Sequence, residues 1–145
     1  MSDLSSMTSP LQARASTPNR GPILIIEDNP AIADIICRAL EIAGYQAMAC
    51  AERKAALTWI NRALEEGYLP ALILLDVGIS PTNGVDFLHV LRRQVSQAHC
   101  TPPPIILLTA SKAIQDEFSA VERVILKPFH VRDLMAEVQR VFPLS

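Results

Sequence analysis

The sequence lacks the features of a disulfide-bonded protein, of a secreted protein and of a membrane-spanning protein. Its three cysteines, Cys37, Cys50 and Cys100, are widely spaced and form no CxxC pair, so we expect reduced thiols in a cytoplasmic protein. The longest apolar runs span about five residues, far short of the roughly 18 that cross a membrane as a helix. The first residues show no basic patch followed by an apolar segment, so we expect no secretory signal.

A surplus of positive charge is missing as well. The 145 residues carry 13 lysines and arginines against 15 aspartates and glutamates, a net charge of −2. This balance gives no general attraction to nucleic acid or to an anionic membrane, so we expect the protein to bind neither. By contrast, 50% of the residues are hydrophobic and only 19% are charged, which excludes a disordered chain and indicates one folded domain.

The first 22 residues differ from the rest of the chain. Five serines, two threonines and three prolines make up ten of them, and their apolar residues show no periodicity. This composition predicts a flexible tail over residues 1–22 and a folded domain over residues 23–145. An inert tail, a linker, a partner-binding arm and a tag-like extension are all compatible with it.

From residue 23 onwards, short apolar runs alternate with segments of helical spacing. Four runs, at residues 23–26, 71–75, 105–108 and 124–126, have the length of strands that are buried on both faces, and a shorter, weaker run at 46–50 predicts one more strand near an edge of the sheet. Helices are predicted after Asn29, at residues 52–66, from about Gly84, at 112–121, where the helix is short or atypical, and at 131–142. The alternation favours an α/β fold with a flavodoxin-like, doubly wound parallel sheet of strand order 2-1-3-4-5 and five helices.

The first predicted helix has a clear start, a clear end and an apolar face. Asn29 supplies an N-cap, Pro30 suits the first turn, and Gly44 ends the helix. Five apolar residues recur at helical spacing and are expected to face the sheet together: Ile32, Ile35, Ile36, Ala39 and Leu40.

Polar side chains directly follow four of the predicted strands. Glu27 and Asp28 follow the first strand, Asp76 the third, Thr109 the fourth and Lys127 the fifth. Because functional groups gather at the carboxyl ends of strands in such sheets, we expect these side chains to converge on one edge. Crowded carboxylates favour a hard divalent cation such as Mg²⁺, and an aspartate can attack phosphorus as a nucleophile. Each residue alone would suggest a cap or a turn, but the whole set predicts phosphoryl transfer.

In these segments the sequence resembles the receiver domain of two-component response regulators, the CheY-like family. Four segments carry the resemblance: ILIIEDN at 23–29, ILLDVGISPTNG at 73–84, PIILLTA at 104–110 and VILKPF at 124–129. The resemblance covers residues 23 to about 142, which is essentially everything outside the predicted tail.

The resemblance implies a role for each residue of the set. Asp76 would accept a phosphoryl group from the histidine of a sensor kinase or of a phosphotransfer protein. Thr109 and Lys127 would contact the phosphoryl oxygens. The Mg²⁺ ligands would be three carboxylates and one backbone carbonyl: Glu27, Asp28, Asp76 and Gly78. The chain would then be a signalling domain that catalyses its own phosphorylation and dephosphorylation, rather than an enzyme.

Two departures from the family pattern concern the output of the signal, and two further positions concern its lifetime. Val124 stands where receivers usually carry an aromatic residue, and its stiff β-branched side chain has no ring to relocate. The stretch between Thr109 and Lys127 is several residues shorter than usual, so the fourth helix is expected to be short or displaced. Gly78 and Ser111, two residues after the acceptor and after the threonine, are small, and no rate of dephosphorylation follows from them.

The interpretation that these residues favour is a stand-alone receiver whose phosphorylation switches protein–protein contacts. The sequence does not specify the downstream partner, and it leaves self-association as a homodimer open. The first alternative is a receiver-like interaction module that works without phosphate. Val124 and the altered fourth helix motivate it, and the complete acidic set argues against it. The second is a Mg²⁺-dependent hydrolase with an aspartate nucleophile, although such enzymes usually have a carboxylate where Gly78 stands.

Overall fold

The computed structural model describes residues 21–77, 81–110 and 121–144, and for residues 81–85 it describes the backbone only. Within these ranges the chain forms five strands and four helices. The strands are β1 Ile23–Ile26, β2 Ala47–Cys50, β3 Leu72–Asp76, β4 Ile105–Thr109 and β5 Arg123–Leu126. The helices are α1 Pro30–Ile42, α2 Arg53–Glu65, α3 Pro81–Gln97 and α4 Val131–Val141.

All five strands lie parallel in one sheet with the order β2-β1-β3-β4-β5. This order confirms the predicted flavodoxin-like arrangement. The helix α3 begins at Pro81 rather than near Gly84, because a proline suits the first turn of a helix. The helix predicted at residues 112–121 lies outside the described ranges except for Val121.

The core consists of two apolar layers, one on each face of the sheet. The layer under α2 and α3 includes Ile60 and Leu88, and the layer under α1 and α4 includes Leu40 and Val138. Successive residues of β1 belong alternately to the two layers, and all four of them are buried. Burial on both faces explains why the strands are continuous apolar runs, and it stabilises the fold by about 1.5–3 kcal/mol for each large side chain.

The buried face of α1 is narrower than the sequence predicts. Ala33, Ile36 and Leu40 are buried, whereas Ile32 and Ile35 are 37% and 53% exposed, so the prediction that these two face the sheet was wrong. Residues 33, 36 and 40 share one stripe of the helix, and residues 32 and 35 lie beside it. The sequence alone could not show which apolar residues of the helix are buried, because isoleucines occur both within the buried stripe and next to it.

The chain immediately before β1 is bound to the amino edge of the sheet. The Gly21 N–H donates to the Leu69 carbonyl at 2.7 Å, and the Ala71 N–H donates to the Pro22 carbonyl at 3.1 Å. The flexible tail and the domain boundary at residue 22 stay predictions, because residues 1–20 lie outside the described ranges.

The three cysteines form no disulfide bond in this structure. Cys37, Cys50 and Cys100 are free thiols. Burial raises the pKa of Cys37 and of Cys50, which makes both thiols less reactive than an exposed one. Among the helices of the described ranges, none is long and apolar enough to span a bilayer.

Gly67 allows the chain to turn from α2 toward β3. Its φ is +89°, in the left-handed region, and a Cβ at this position would meet no atom within 4 Å. Gly67→Ala should therefore lower the free energy of unfolding by about 1–2 kcal/mol through backbone strain alone. Gly67→Asn should cost less, because asparagine tolerates this conformation. Urea unfolding of both variants measures the difference, and equal losses would contradict it.

Candidate functional site

The carboxyl ends of β1 and β3 bring two acidic residues to the same level of the sheet. Ile26 pairs with Leu75 in the register of these strands, so the residues that come next, Glu27 and Asp76, are neighbours across the sheet. Asp76 is the last residue of β3 rather than the first residue after it. The parallel arrangement therefore places both carboxyl groups at one edge, as expected from their positions in the sequence.

The ends of β4 and β5 bring a hydroxyl group and an amine to the same edge. Thr109 pairs with Leu126 in the register of these strands, and the Lys127 N–H donates to the Thr109 carbonyl at 2.7 Å. The Thr109 side chain is fully buried. The peptide bond between Lys127 and Pro128 is cis. Thr109 and Lys127 are thus linked through the backbone directly beside β3.

Lys127 and Asp76 form a short, shielded ion pair. The Lys127 Nζ donates to Oδ1 and to Oδ2 of Asp76, each at 2.6 Å. Only 7% of the Asp76 side chain is exposed, against 29% for Lys127. Because water reaches the pair poorly, the two charges interact more strongly than they would on the surface. The contact ties the segment after β5 to the end of β3.

Glu27 is a buried carboxyl group beside Asp76. Only 4% of the residue is exposed, and its Oε2 accepts a hydrogen bond from the Asn29 N–H at 3.1 Å. Its Oε1 is buried and meets no donor among the described residues. Burial, and after it the neighbouring Asp76 carboxyl group, raise the pKa of Glu27 to about 8. Added positive charge would therefore be favourable at this point.

An open cleft of about 370 Å³ lies over these carboxyl groups. Glu27, Asp28, Arg53 and Asp76 are among its lining residues, and Asp28 is exposed. Across the described ranges, no three acidic, histidine or cysteine side chains are close enough together to hold a metal ion by themselves. Mg²⁺, however, commonly takes one or two carboxylates and keeps several water ligands. The Oε1 of Glu27 and the exposed Asp28 carboxylate fit such a hydrated ion.

Arg53 lines this cleft, although the sequence did not single it out. It is the first residue of α2, and its Nη2 donates to the backbone carbonyl of Asp76 at 3.4 Å. A signal for it was present, because Arg53 comes shortly after Cys50, the last residue of β2. The residues after β2 reach the same carboxyl edge as the residues that follow the other four strands.

The remaining predicted site positions concern transmission of the signal. Val124 is half-buried and packs against the apolar layer under α2 and α3. An aliphatic side chain in that layer has no ring that could move between two positions. Gly78 and Ser111 lie outside the described ranges, so their predicted roles stay predictions.

A family model describes the part of the chain that forms this sheet. The model of the response regulator receiver domain matches residues 23–139. The chain belongs to this family. The uncharacterized transcriptional regulatory protein YkoG of Bacillus subtilis is 32% identical over 124 residues, which are 83% of this chain and 50% of YkoG. The DNA-binding transcriptional regulator RpaA of Synechocystis is 34% identical over 121 residues, 81% of this chain and 47% of RpaA.

Solved structures of response regulators share the fold. Chemotaxis protein CheY4 of Vibrio cholerae gives a TM-score of 0.67 at 23% identity, over 87% of this chain and 100% of that one. Response regulator TrrA of Thermotoga maritima, solved in complex with Mg²⁺ and BeF, gives 0.65 at 21% identity, over 86% of this chain and 99% of that one. The resemblance drawn from the sequence segments is therefore confirmed, and so is the predicted fold.

The receiver family, to which this chain and these relatives belong, consists of signalling domains of two-component systems. The chain spans about half the length of the curated relatives it matches. Their names describe whole transcriptional regulators, so the activity in those names belongs to the longer proteins. For this chain the family assignment covers the receiver domain alone.

Glu27 should make the stability of the metal-free protein depend on pH. Its pKa is raised in the folded state, so the folded protein keeps this proton while the unfolded chain loses it above the ordinary value of 4.5. The free energy of unfolding should therefore fall as the pH rises from about 4.5 toward 8. Glu27→Gln should flatten this slope in chelator-treated protein, and Glu66→Gln, at an exposed glutamate, should keep it. Urea titrations at several pH values measure the slope. A slope in Glu27→Gln equal to that of the wild type would show that Glu27 is not the group responsible for the pH dependence.

Removal of the Lys127 amine should show how strongly its positive charge stabilises the carboxyl groups at this edge of the sheet. Lys127→Ala removes the amine that contacts both Asp76 oxygens, so we expect the metal-free protein to lose about 1–3 kcal/mol of unfolding free energy. Mg²⁺ should then stabilise this variant more than it stabilises the wild type. Thermal unfolding with chelator and with MgCl₂ measures both effects, with the exposed Lys54→Ala as the control. An equal gain from Mg²⁺ in variant and wild type would show that the ion does not share these carboxylates.

Proposed function

We propose that this chain is a phosphorylation-dependent signalling switch whose phosphoryl acceptor is Asp76. The observation that carries the proposal is the shielded pair in which the Lys127 Nζ lies 2.6 Å from both Asp76 oxygens. An aspartate nucleophile requires nearby positive charge to balance the charge of the incoming phosphoryl group, and Lys127 supplies it. Membership in the receiver family supports the same role.

The phosphoryl donor is the phosphohistidine of a sensor kinase or of a phosphotransfer protein. One carboxylate oxygen of Asp76 attacks the phosphorus opposite the P–N bond. The O–P bond forms while the P–N bond breaks, and the electron pair leaves with the imidazole nitrogen, which binds a proton. Positioning and charge stabilisation are the main requirements of this reaction, and the polar edge of the sheet supplies both.

Mg²⁺ would be held at this site by the carboxylates of Glu27, Asp28 and Asp76 and by the backbone carbonyl of Gly78, after a closer approach of the three carboxylates, which in this structure are too far apart to hold an ion by themselves. The ion would supply positive charge at the phosphoryl oxygens, where negative charge gathers during transfer. The buried Oε1 of Glu27, which meets no donor among the described residues, supports the assignment. Glu27 has to release its proton before it can act as a ligand, since only the carboxylate form binds a cation.

Thr109 and Lys127 would contact the phosphoryl oxygens once Asp76 is modified. The phosphoryl group carries about −1.5 to −2 of charge in place of the single charge of the free carboxylate, and it attracts the Lys127 amine to the new oxygens. The hydrogen bond from the Lys127 N–H to the Thr109 carbonyl couples the backbones of the two residues. Because Val124 has no ring, the output has to use a rearrangement other than the relocation of an aromatic side chain.

The output of the switch would be a change in protein–protein contacts, through a shift between two conformations. The matched part of this chain spans about half the length of the relatives named as transcriptional regulators. That the chain acts as a stand-alone receiver stays a prediction from the sequence. The same holds for its cytoplasmic location, for its lack of binding to nucleic acid and membranes, and for self-association.

A receiver-like interaction module that needs no phosphate is the second candidate. The half-buried Val124 favours it, because the usual aromatic relay is absent. Beryllofluoride, which imitates a phosphoryl group on aspartate, separates the two candidates when it is added with Mg²⁺. Shifts of the NMR resonances around Asp76 support the switch, whereas unchanged spectra support the module.

Asp76→Asn should abolish uptake of a phosphoryl group from acetyl phosphate in the presence of MgCl₂. The amide is a much weaker nucleophile than the carboxylate, and the fold should persist because the side chain keeps its size. Intact-mass spectrometry measures the uptake, and circular dichroism checks the fold. Asp86→Asn, at an exposed aspartate of α3, is the matched control and should be modified like the wild type. Uptake that survives in Asp76→Asn would overturn the assignment of the acceptor.

A further inference from the structure

Arg53 brings a second side-chain cation to the cleft over Asp76. Its Nη2 lies 3.4 Å from the Asp76 backbone carbonyl, which is a long hydrogen bond to a neutral group. No salt bridge to Arg53 is present within residues 21–77, 81–110 and 121–144. In this part of the chain the charge of the guanidinium is therefore not matched by a carboxylate within ion-pair distance, in contrast to the charge of Lys127.

The Nε of Arg53 is a buried donor that meets no acceptor in the described part of the chain. Burying a charged donor without an acceptor is unfavourable, and such groups in native proteins usually have a role that supplies the missing partner. Arg53 shares its cleft with Asp76 and Glu27. A ligand that enters this cleft with negatively charged oxygens would give Nε its acceptor.

The strand order places Arg53 and Lys127 on opposite sides of Asp76. Arg53 follows β2, which is one edge of the sheet, and Lys127 follows β5, which is the other edge. Asp76 ends β3, the middle strand. A group attached to Asp76 and projecting into the cleft would thus have one cation on each side.

We propose that Arg53 is a phosphoryl-binding residue, whose Nε–H donates to an oxygen of the phosphoryl group carried by Asp76. This inference rests on the proposed function of Asp76. A guanidinium is suited to the role, because its N–H groups form a fixed fork that matches phosphoryl oxygens and its charge persists at every physiological pH. Arg53 would stabilise the phosphorylated state from the side of the cleft that Lys127 does not reach.

Beryllofluoride binding at saturating MgCl₂ tests the inference without any phosphodonor. Titration calorimetry should show that Arg53→Ala weakens beryllofluoride binding by about tenfold or more, the usual effect of losing a charge-assisted hydrogen bond. Arg53→Lys should also weaken it, because lysine keeps the charge but has no Nε donor at that position. Arg62→Ala, at an exposed arginine in the last turn of the same helix, is the control and should bind like the wild type.

A separate Mg²⁺ titration distinguishes a lost contact from a distorted site. Removal of a positive charge beside the carboxylates should leave Mg²⁺ affinity unchanged or increase it, while beryllofluoride affinity falls. The inference would be overturned if Arg53→Ala or Arg53→Lys bound beryllofluoride as tightly as the wild type does. It would also be overturned if Arg53→Ala lost Mg²⁺ binding and beryllofluoride binding to the same extent. A wild-type chain that binds no beryllofluoride would overturn the proposed function and this inference together.

Discussion

Asp76 ends the middle strand of the sheet, and the Lys127 amine that contacts it follows the edge strand β5. One strand, β4, lies between them, so the two backbones are separated by about two strand spacings, roughly 10 Å. A long side chain is needed to cover that distance, and lysine has one. The ion pair thereby holds the ends of three neighbouring strands in a fixed relation. Any change in the charge of Asp76 alters this contact first.

The cleft beside this pair contains two buried polar atoms of opposite character. The Oε1 of Glu27 is an acceptor once the carboxyl group has lost its proton, and the Nε of Arg53 is a donor; neither atom has a hydrogen-bond partner among the described residues. A cation would satisfy the acceptor, and an oxyanion would satisfy the donor. A phosphoryl group accompanied by Mg²⁺ contains both. The unsatisfied groups of the cleft are thus complementary to the ligand pair on which phosphoryl transfer depends, and the proton on Glu27 balances the charge until they arrive.

The sequence predicted this edge of the sheet well, for a reason specific to parallel sheets. Every buried strand is an apolar run, so the first polar residue after it marks the carboxyl edge, as Asp76 and Lys127 do. The direct contact between these two was not predicted, because it depends on how far a side chain reaches and not on spacing. Arg53 was missed since it belongs to a helix start, where a charged residue is common. The exposure of Ile35 was missed because neighbouring isoleucines look equally suited to a core.

Both ends of the described domain lie at the edge of the sheet opposite the acidic cleft. Gly21 and Pro22 are hydrogen-bonded to residues just before β3, and Leu144 packs over Gly44, close to the end of α1. Polypeptide joined at either end would therefore be attached on the side remote from Asp76. A fluorescent protein or a surface-immobilisation linker could therefore be fused at these points without occupying the cleft over Asp76.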